Sequence, residues 1–211
     1  MAQPPRRHVV DFPHPGDPRA GSRRTTEHRR VQRPVDDLPV VHLEGEVPTV
    51  PAGGWTLTVD GPVARPRVLS LAELVGLESV GATWDFHCVW GWSRELCHWS
   101  GVRGAAVTAL AGIETPYVVV SAAGGTYASA LSIAEFSAGL FATHLEGDPL
   151  SADHGGPLRY VPPPGKWQYK GVKWVARVTG TETFTPGFWE QAVGDPFGDI
   201  PTDREDLRYE R

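Results

Sequence analysis

No stretch of the 211-residue chain holds the run of about 18 apolar residues that a membrane-spanning helix needs, so no membrane span is expected. Cysteine is nearly absent. Two residues, Cys88 and Cys97, cannot make the disulfide framework of a small secreted domain, although one bridge between them is compatible with the sequence. Arg6-Arg7 could open a twin-arginine export signal, but His8-Val-Val-Asp-Phe-Pro-His-Pro-Gly-Asp17 supplies no apolar core. The expected location is therefore cytoplasmic. Lysine is scarce as well: of 20 basic residues only three are Lys, and all three fall within Lys166-Trp-Gln-Tyr-Lys-Gly-Val-Lys173.

The net charge of −5 is unevenly spread, with eight Arg against five acidic residues in positions 1–40. A basic tail on an acidic body does not suggest a nucleic-acid-binding domain, and no nucleic-acid partner is expected. Residues 1–38 are rich in Pro, Arg and Asp without an apolar period, and read as a disordered or extended N-terminal tail. Residues 39–211 read as one domain.

Glycine (24) and proline (20) together exceed a fifth of the chain, which favours turns and short strands over long helices. Trp55-Thr-Leu-Thr-Val59 alternates as a strand does, and Asp60-Gly61 is a turn signal. Ser70-Leu-Ala-Glu73 and Ser132-Ile-Ala-Glu135 are capping boxes, predicting helices over 71–77 and from Ser132 to about Phe141. A further helix is expected over Val102–Ala111, with Ser100 as cap and Gly112 as stop. Pro116–Ser121 reads as a buried strand, returned through Gly124-Gly125 to Thr126–Leu131. Short strands are also expected at Thr83–Cys88, Leu158–Val161 and Gly171–Val178. The fold class is α+β: an irregular mixed β-sheet core with short helices.

Chemistry concentrates in Trp84-Asp-Phe-His-Cys-Val-Trp-Gly-Trp-Ser-Arg-Glu-Leu-Cys-His-Trp99, which holds both cysteines and four of the eight tryptophans. Cys88 has three readings: an inert core thiol, a nucleophile paired with a histidine, or a metal ligand. Zinc fits poorly, because Cys88 and Cys97 lack the close Cys-Cys spacing of zinc sites. His87 and Arg94 are near enough in sequence to depress the Cys88 pKa. Lys166–Lys173 offers compact positive charge beside Gly165 and Gly171, a composition that suits an anion but also a basic strand edge. His154-Gly-Gly-Pro-Leu-Arg159 is either a loop passing close to a ligand or a turn with a surface Arg.

A soft ligand, a basic glycine-containing anion site and a glycine loop fit a cofactor with both a metal and a phosphate. His87-Cys-Val-Trp-Gly-Trp-Ser93, Trp99-Ser-Gly-Val102, His154-Gly-Gly-Pro-Leu-Arg159, Lys170-Gly-Val-Lys-Trp174 and Gly187-Phe-Trp-Glu190 occur in an order and spacing that resemble the sulfite-oxidase-type molybdopterin-binding domain. The resemblance covers about residues 39–197. It implies the sulfite-oxidase molybdopterin-binding fold and a molybdenum-molybdopterin cofactor, with Cys88 as the protein's thiolate ligand and Cys97 structural. It further implies cofactor contacts from His42, Ser121, His154, Arg159, Gly171, Val172 and Lys173. The implied activity is two-electron oxygen-atom transfer at molybdenum on a small sulfur- or nitrogen-oxo substrate. An external electron-transfer partner is expected, because the chain shows no second redox motif. Ala142-Thr-His-Leu-Glu-Gly-Asp-Pro-Leu150 departs from sulfite oxidases proper: His144 replaces a tyrosine and Glu146 an asparagine. If His144 faces the metal it is a catalytic proton donor or acceptor. The readings from other classes are a non-catalytic binding module that keeps the fold, and a metal-free thiol enzyme using Cys88 and a histidine.

Overall fold

The computed structural model describes residues 32–41, 47–48, 52–125 and 127–201. Eleven described strands follow one another: β1 (Arg33–Pro34), β2 (Thr56–Asp60), β3 (Arg67–Ser70), β4 (Ser79–Cys88), β5 (Trp92–Arg103), β6 (Tyr117–Ala122), β7 (Ala128–Ser132), β8 (Leu140–Leu145), β9 (Asp148–Pro149), β10 (Arg159–Val161) and β11 (Val175–Thr181). The helices are α1 (Leu71–Val75), α2 (Gly104–Ala111), α3 (Ile133–Ala138) and α4 (Phe188–Val193). Two 3-10 turns bear on function, Ala152–His154 and Gln168–Lys170. The α+β class and the mixed sheets with few short helices are as the sequence implies.

Both capping boxes form. Ser70 and Ser132 accept from the amides of Glu73 and Glu135, whose carboxylates return to the serine N–H groups at 2.8 Å. The predicted α2 start is displaced. Gly101 and Val102 continue β5, and Arg103, not Ser100, precedes the helix. Gly101 lies against the Phe141 and Ala142 backbone, so strand pairing takes these residues from the helix. Likewise α3 stops at Ala138. Leu140–Leu145 becomes a strand between β5 and β10, a position in which an apolar run is buried on both faces. The C-terminal region contains α4. Residues 32–38, read as tail, include β1, which pairs in parallel with β5, and the buried Gln32 and Leu38.

The strands form two sheets. One runs β1-β5-β8-β10, with β4 folded back on β5 and β9 on β8; the other runs β3-β2-β11-β6-β7. In the second sheet β2 and β11 are parallel and the other pairs antiparallel. The main core combines Leu57, Val59, Val118, Val120 and Val178 of the second sheet with Leu74, Val107 and Phe136 of the helices and Phe141 and Tyr160 of the first sheet. A second core gathers Phe86, Cys97, Trp99, Leu140 and Val161. A small third one, with Val89, Trp167, Tyr169 and Val193, fastens α4 beside the tip of the β4–β5 hairpin.

Candidate functional site

The Trp84–Trp99 stretch is a β-hairpin, and Cys88 is the last residue of its first strand. Gly91 makes the turn at φ +85°, and its N–H reaches the Cys88 carbonyl at 3.1 Å. Cys88 lines an open cleft walled by Phe86, Trp90, Trp92, Tyr127, Trp174 and Trp189. Its floor is polar, with His154, Arg159, Gln168 and Lys173. Both cysteines are reduced. Burial pushes the Cys88 thiol up to about 12, while a backbone hydrogen bond at Trp90 and the charge of Arg159 pull the other way.

Arg159 enters the cleft from β10 and is only 5% exposed. Its guanidinium lies over the Phe86 and Trp99 rings, at 5.1 and 5.6 Å, and Nη1 donates to the His154 carbonyl at 3.0 Å. Nε is buried without a hydrogen-bond partner, and among the described residues no carboxylate pairs with this cation. Burial lowers its pKa to about 10, which leaves it charged at neutral pH. His154 Nε2 is 3.0 Å from the Leu38 carbonyl and Nδ1 2.9 Å from Ser151 Oγ. A carbonyl only accepts, so Nε2 carries the proton, and burial depresses the pKa of the ring toward this neutral form. Gly155 adopts φ +100°, and a Cβ there would meet the Lys173 side chain at 2.9 Å; the glycine lets that lysine pass toward the cleft. Lys173 Nζ then donates to the Asp153 carbonyl at 2.6 Å.

The structure thus brings Cys88, His154, Arg159, Gly171 and Lys173 to one cleft. Gly171 gives its own N–H to Gln168 O at 3.1 Å. Three other sequence-derived candidates lie elsewhere. Val172 is in the main core, its backbone paired with Tyr160. Ser121 is on β6, opposite Ala128 and Arg177. His144 is on β8 with Nδ1 on Thr143 Oγ1 at 2.9 Å, and neither it nor Ser121 lines the cleft. His42 lies outside the described residues. The neighbours expected to lower the Cys88 pKa turn away from it. His87 Nδ1 sits 2.7 Å from Ser93 Oγ, and Arg94 pairs with Glu146 at 2.7 Å and approaches Cys97 Sγ at 3.5 Å. Of the three lysines only Lys173 reaches the cleft. Lys166 pairs with Glu135 and Asp199, and Lys170 is buried against Glu190 at 2.6 Å. Gln168 and Trp189 lie within stretches that the sequence singled out but were not themselves named as site residues, and Tyr127 was not distinguished at all. Their types are ordinary, and only folding places them at the cleft.

Whether these residues suit a metal-bearing cofactor can be tested on the donors themselves. Among the described residues no three His, Cys, Asp or Glu side chains come together, so a metal at Cys88 needs further ligands from beyond these side chains. Arg159 has a buried charge and a donor that the protein leaves unmatched, which suits an anionic group. Both observations fit a metal carried by an anionic organic ligand. The class this defines is a domain that binds an anionic cofactor.

The chain belongs to the oxidoreductase molybdopterin-binding domain family, whose model matches residues 44–189. It is 35% identical over 175 residues to the uncharacterized oxidoreductase YuiH of Bacillus subtilis (strain 168), covering 79% of this chain and 87% of that one. It is 30% identical over 169 residues to the catalytic subunit of the protein-methionine-sulfoxide reductase MsrP of Xanthomonas axonopodis pv. citri (strain 306), covering 71% of this chain and 52% of that protein. The chain therefore spans about half the length of that second relative. Among solved structures, the sulfane dehydrogenase SoxCD of Paracoccus pantotrophus superposes with a TM-score of 0.59 at 19% identity, over 65% of this chain and 40% of that one, a likeness of fold.

Proposed function

We propose that the chain is a molybdenum enzyme in which Cys88 supplies the protein's thiolate to the metal of a molybdopterin, and Arg159, His154, Gly171 and Lys173 hold the organic part. When bound, that cofactor supplies two-electron oxygen-atom transfer. The observation carrying the proposal is Arg159, a guanidinium buried in the Cys88 cleft that has, among the described residues, an unmatched Nε and no carboxylate partner. The chain's own residues do the rest. Arg159 and Lys173 place positive charge toward the cofactor's anionic groups, and His154, neutral, fixes the loop under Leu38. The indole walls restrict water around the thiol.

The substrate under this proposal is a small sulfur- or nitrogen-oxo compound, and electrons pass to or from a separate partner protein. The sulfoxide-reducing relative supports a sulfur-oxo substrate. A cytoplasmic location is part of the proposal. A metal-free thiol enzyme is less well supported, since burial keeps the Cys88 thiol protonated at neutral pH and the adjacent His87 faces Ser93. The test is expression in a host that makes molybdopterin, followed by metal analysis and a turnover screen of sulfite, S-oxides and N-oxides with an artificial electron carrier. About one molybdenum per chain together with turnover of one such compound is expected. Protein that never loads molybdenum would sink the proposal, and loaded protein inert to every compound would favour a binding module.

A further inference from the structure

Gln168 opens the 3-10 turn Gln168–Lys170, whose other polar ends are spent within the protein. Tyr169 Oη donates to the Asp195 carbonyl at 2.8 Å. Lys170 Nζ donates to Glu190 at 2.6 Å and to the Pro196 carbonyl at 2.8 Å, and Gly171 N–H returns to the Gln168 carbonyl at 3.1 Å. The turn is thereby held from both sides. Gln168 itself is only 9% exposed and lines the Cys88 cleft. Its Oε1 has less than 1 Å² of exposed surface and, among the described residues, no hydrogen-bond partner.

A buried amide oxygen left unpaired destabilises the fold it sits in, because water's hydrogen bond is lost and none replaces it. Such an acceptor on a rigid turn is retained where something else supplies the donor. An unpaired acceptor matches a ring edge that carries N–H groups, as the aminopyrimidinone of a pterin does.

We infer that Gln168 is a cofactor-binding residue, its side-chain amide reading an N–H of the bound pterin. The inference rests on the molybdopterin reading above and adds a contact that neither the sequence motifs nor the comparisons point to. It predicts an opposite effect in the two forms of the protein. In apoprotein, Gln168→Met removes an unpaired acceptor at similar volume, so its urea midpoint equals or exceeds that of the wild type. In protein loaded in a molybdopterin-producing host, the same variant retains pterin and molybdenum roughly tenfold less well on dilution and dialysis. Pterin is read from the fluorescence of its oxidised form and molybdenum by mass spectrometry, so no turnover is needed. Gln168→Leu provides a second side chain without hydrogen-bonding groups.

Retention equal to the wild type in both variants overturns the inference while leaving the molybdopterin reading intact. A fall in the apoprotein midpoint that parallels the loss of cofactor also overturns it, by making Gln168 structural. Wild-type protein that binds no pterin overturns both.

Discussion

At the scale of the residue, Cys88 and Arg159 set the chemistry available. Cys88→Ser replaces a soft sulfur with a hard hydroxyl, and is expected to lower molybdenum content roughly tenfold or more at unchanged fold, measured per chain after purification. The raised thiol pKa values give a second expectation. Desolvation lifts Cys88 to about 12 and Cys97 to about 11, both upward from 9.0, so each carries less thiolate than an ordinary cysteine at pH 8. Iodoacetamide should therefore alkylate folded apoprotein more slowly than a free thiol at pH 8, and guanidinium unfolding should restore the ordinary rate. Folded protein that reacts faster than a free thiol would reverse the sign of this argument and favour a thiol enzyme.

At the scale of the element, α4 depends on one buried pair. Glu190 accepts from Lys170 Nζ, Ser129 Oγ at 2.8 Å and the Ala130 N–H at 3.0 Å, and also from the Gly187 N–H at the helix start. Both side chains are 1% exposed. Glu190→Leu strands the lysine charge in the interior, and a loss of about 3–5 kcal/mol is expected from urea unfolding. Adding Lys170→Met should recover part of that loss, because the second change removes the uncompensated charge. The capping serines have smaller roles: Ser132→Ala should cost about 1 kcal/mol by the same measurement. The capping boxes were legible because they are local. The start of α2 and the end of α3 were not, because Gly101 and Leu140–Leu145 are claimed by cross-strand partners far away in sequence.

At the scale of the whole molecule, the cleft collects groups from both sheets. Cys88 and Arg159 come from the first sheet, while Tyr127 and Lys173 lie just before strands β7 and β11 of the second. A ligand touching all of them binds only the folded arrangement. By mass action, loading at about a thousand times the dissociation constant should add roughly 4 kcal/mol to stability. Holoprotein is thus expected to unfold at clearly higher urea than apoprotein, and Cys88→Ser protein to unfold near the apo midpoint. Coincident midpoints for the loaded and unloaded wild type would mean that the cleft is not where the cofactor binds.

What the sequence determined by itself was local or carried by motif: the fold class, the two capping boxes, the strand leading to Cys88, and a set of site candidates of which Cys88, His154, Arg159, Gly171 and Lys173 line one cleft while Ser121, Val172 and His144 do not. Side-chain spacing and backbone preference act over a few residues, and the ordered motifs tie those pieces to one family. Tertiary structure alone decided which lysine faces the cleft. Three lysines within eight residues looked alike, yet two are neutralised by Glu135, Asp199 and Glu190 from distant segments. It also turned Arg94 toward Cys97 instead of Cys88, set His144 and Ser121 outside the cleft, and left Gln168 with an unpaired oxygen inside it. The reason is the same in each case. Whether a polar group is spent or available depends on partners brought together by folding, and sequence neighbours do not reveal them.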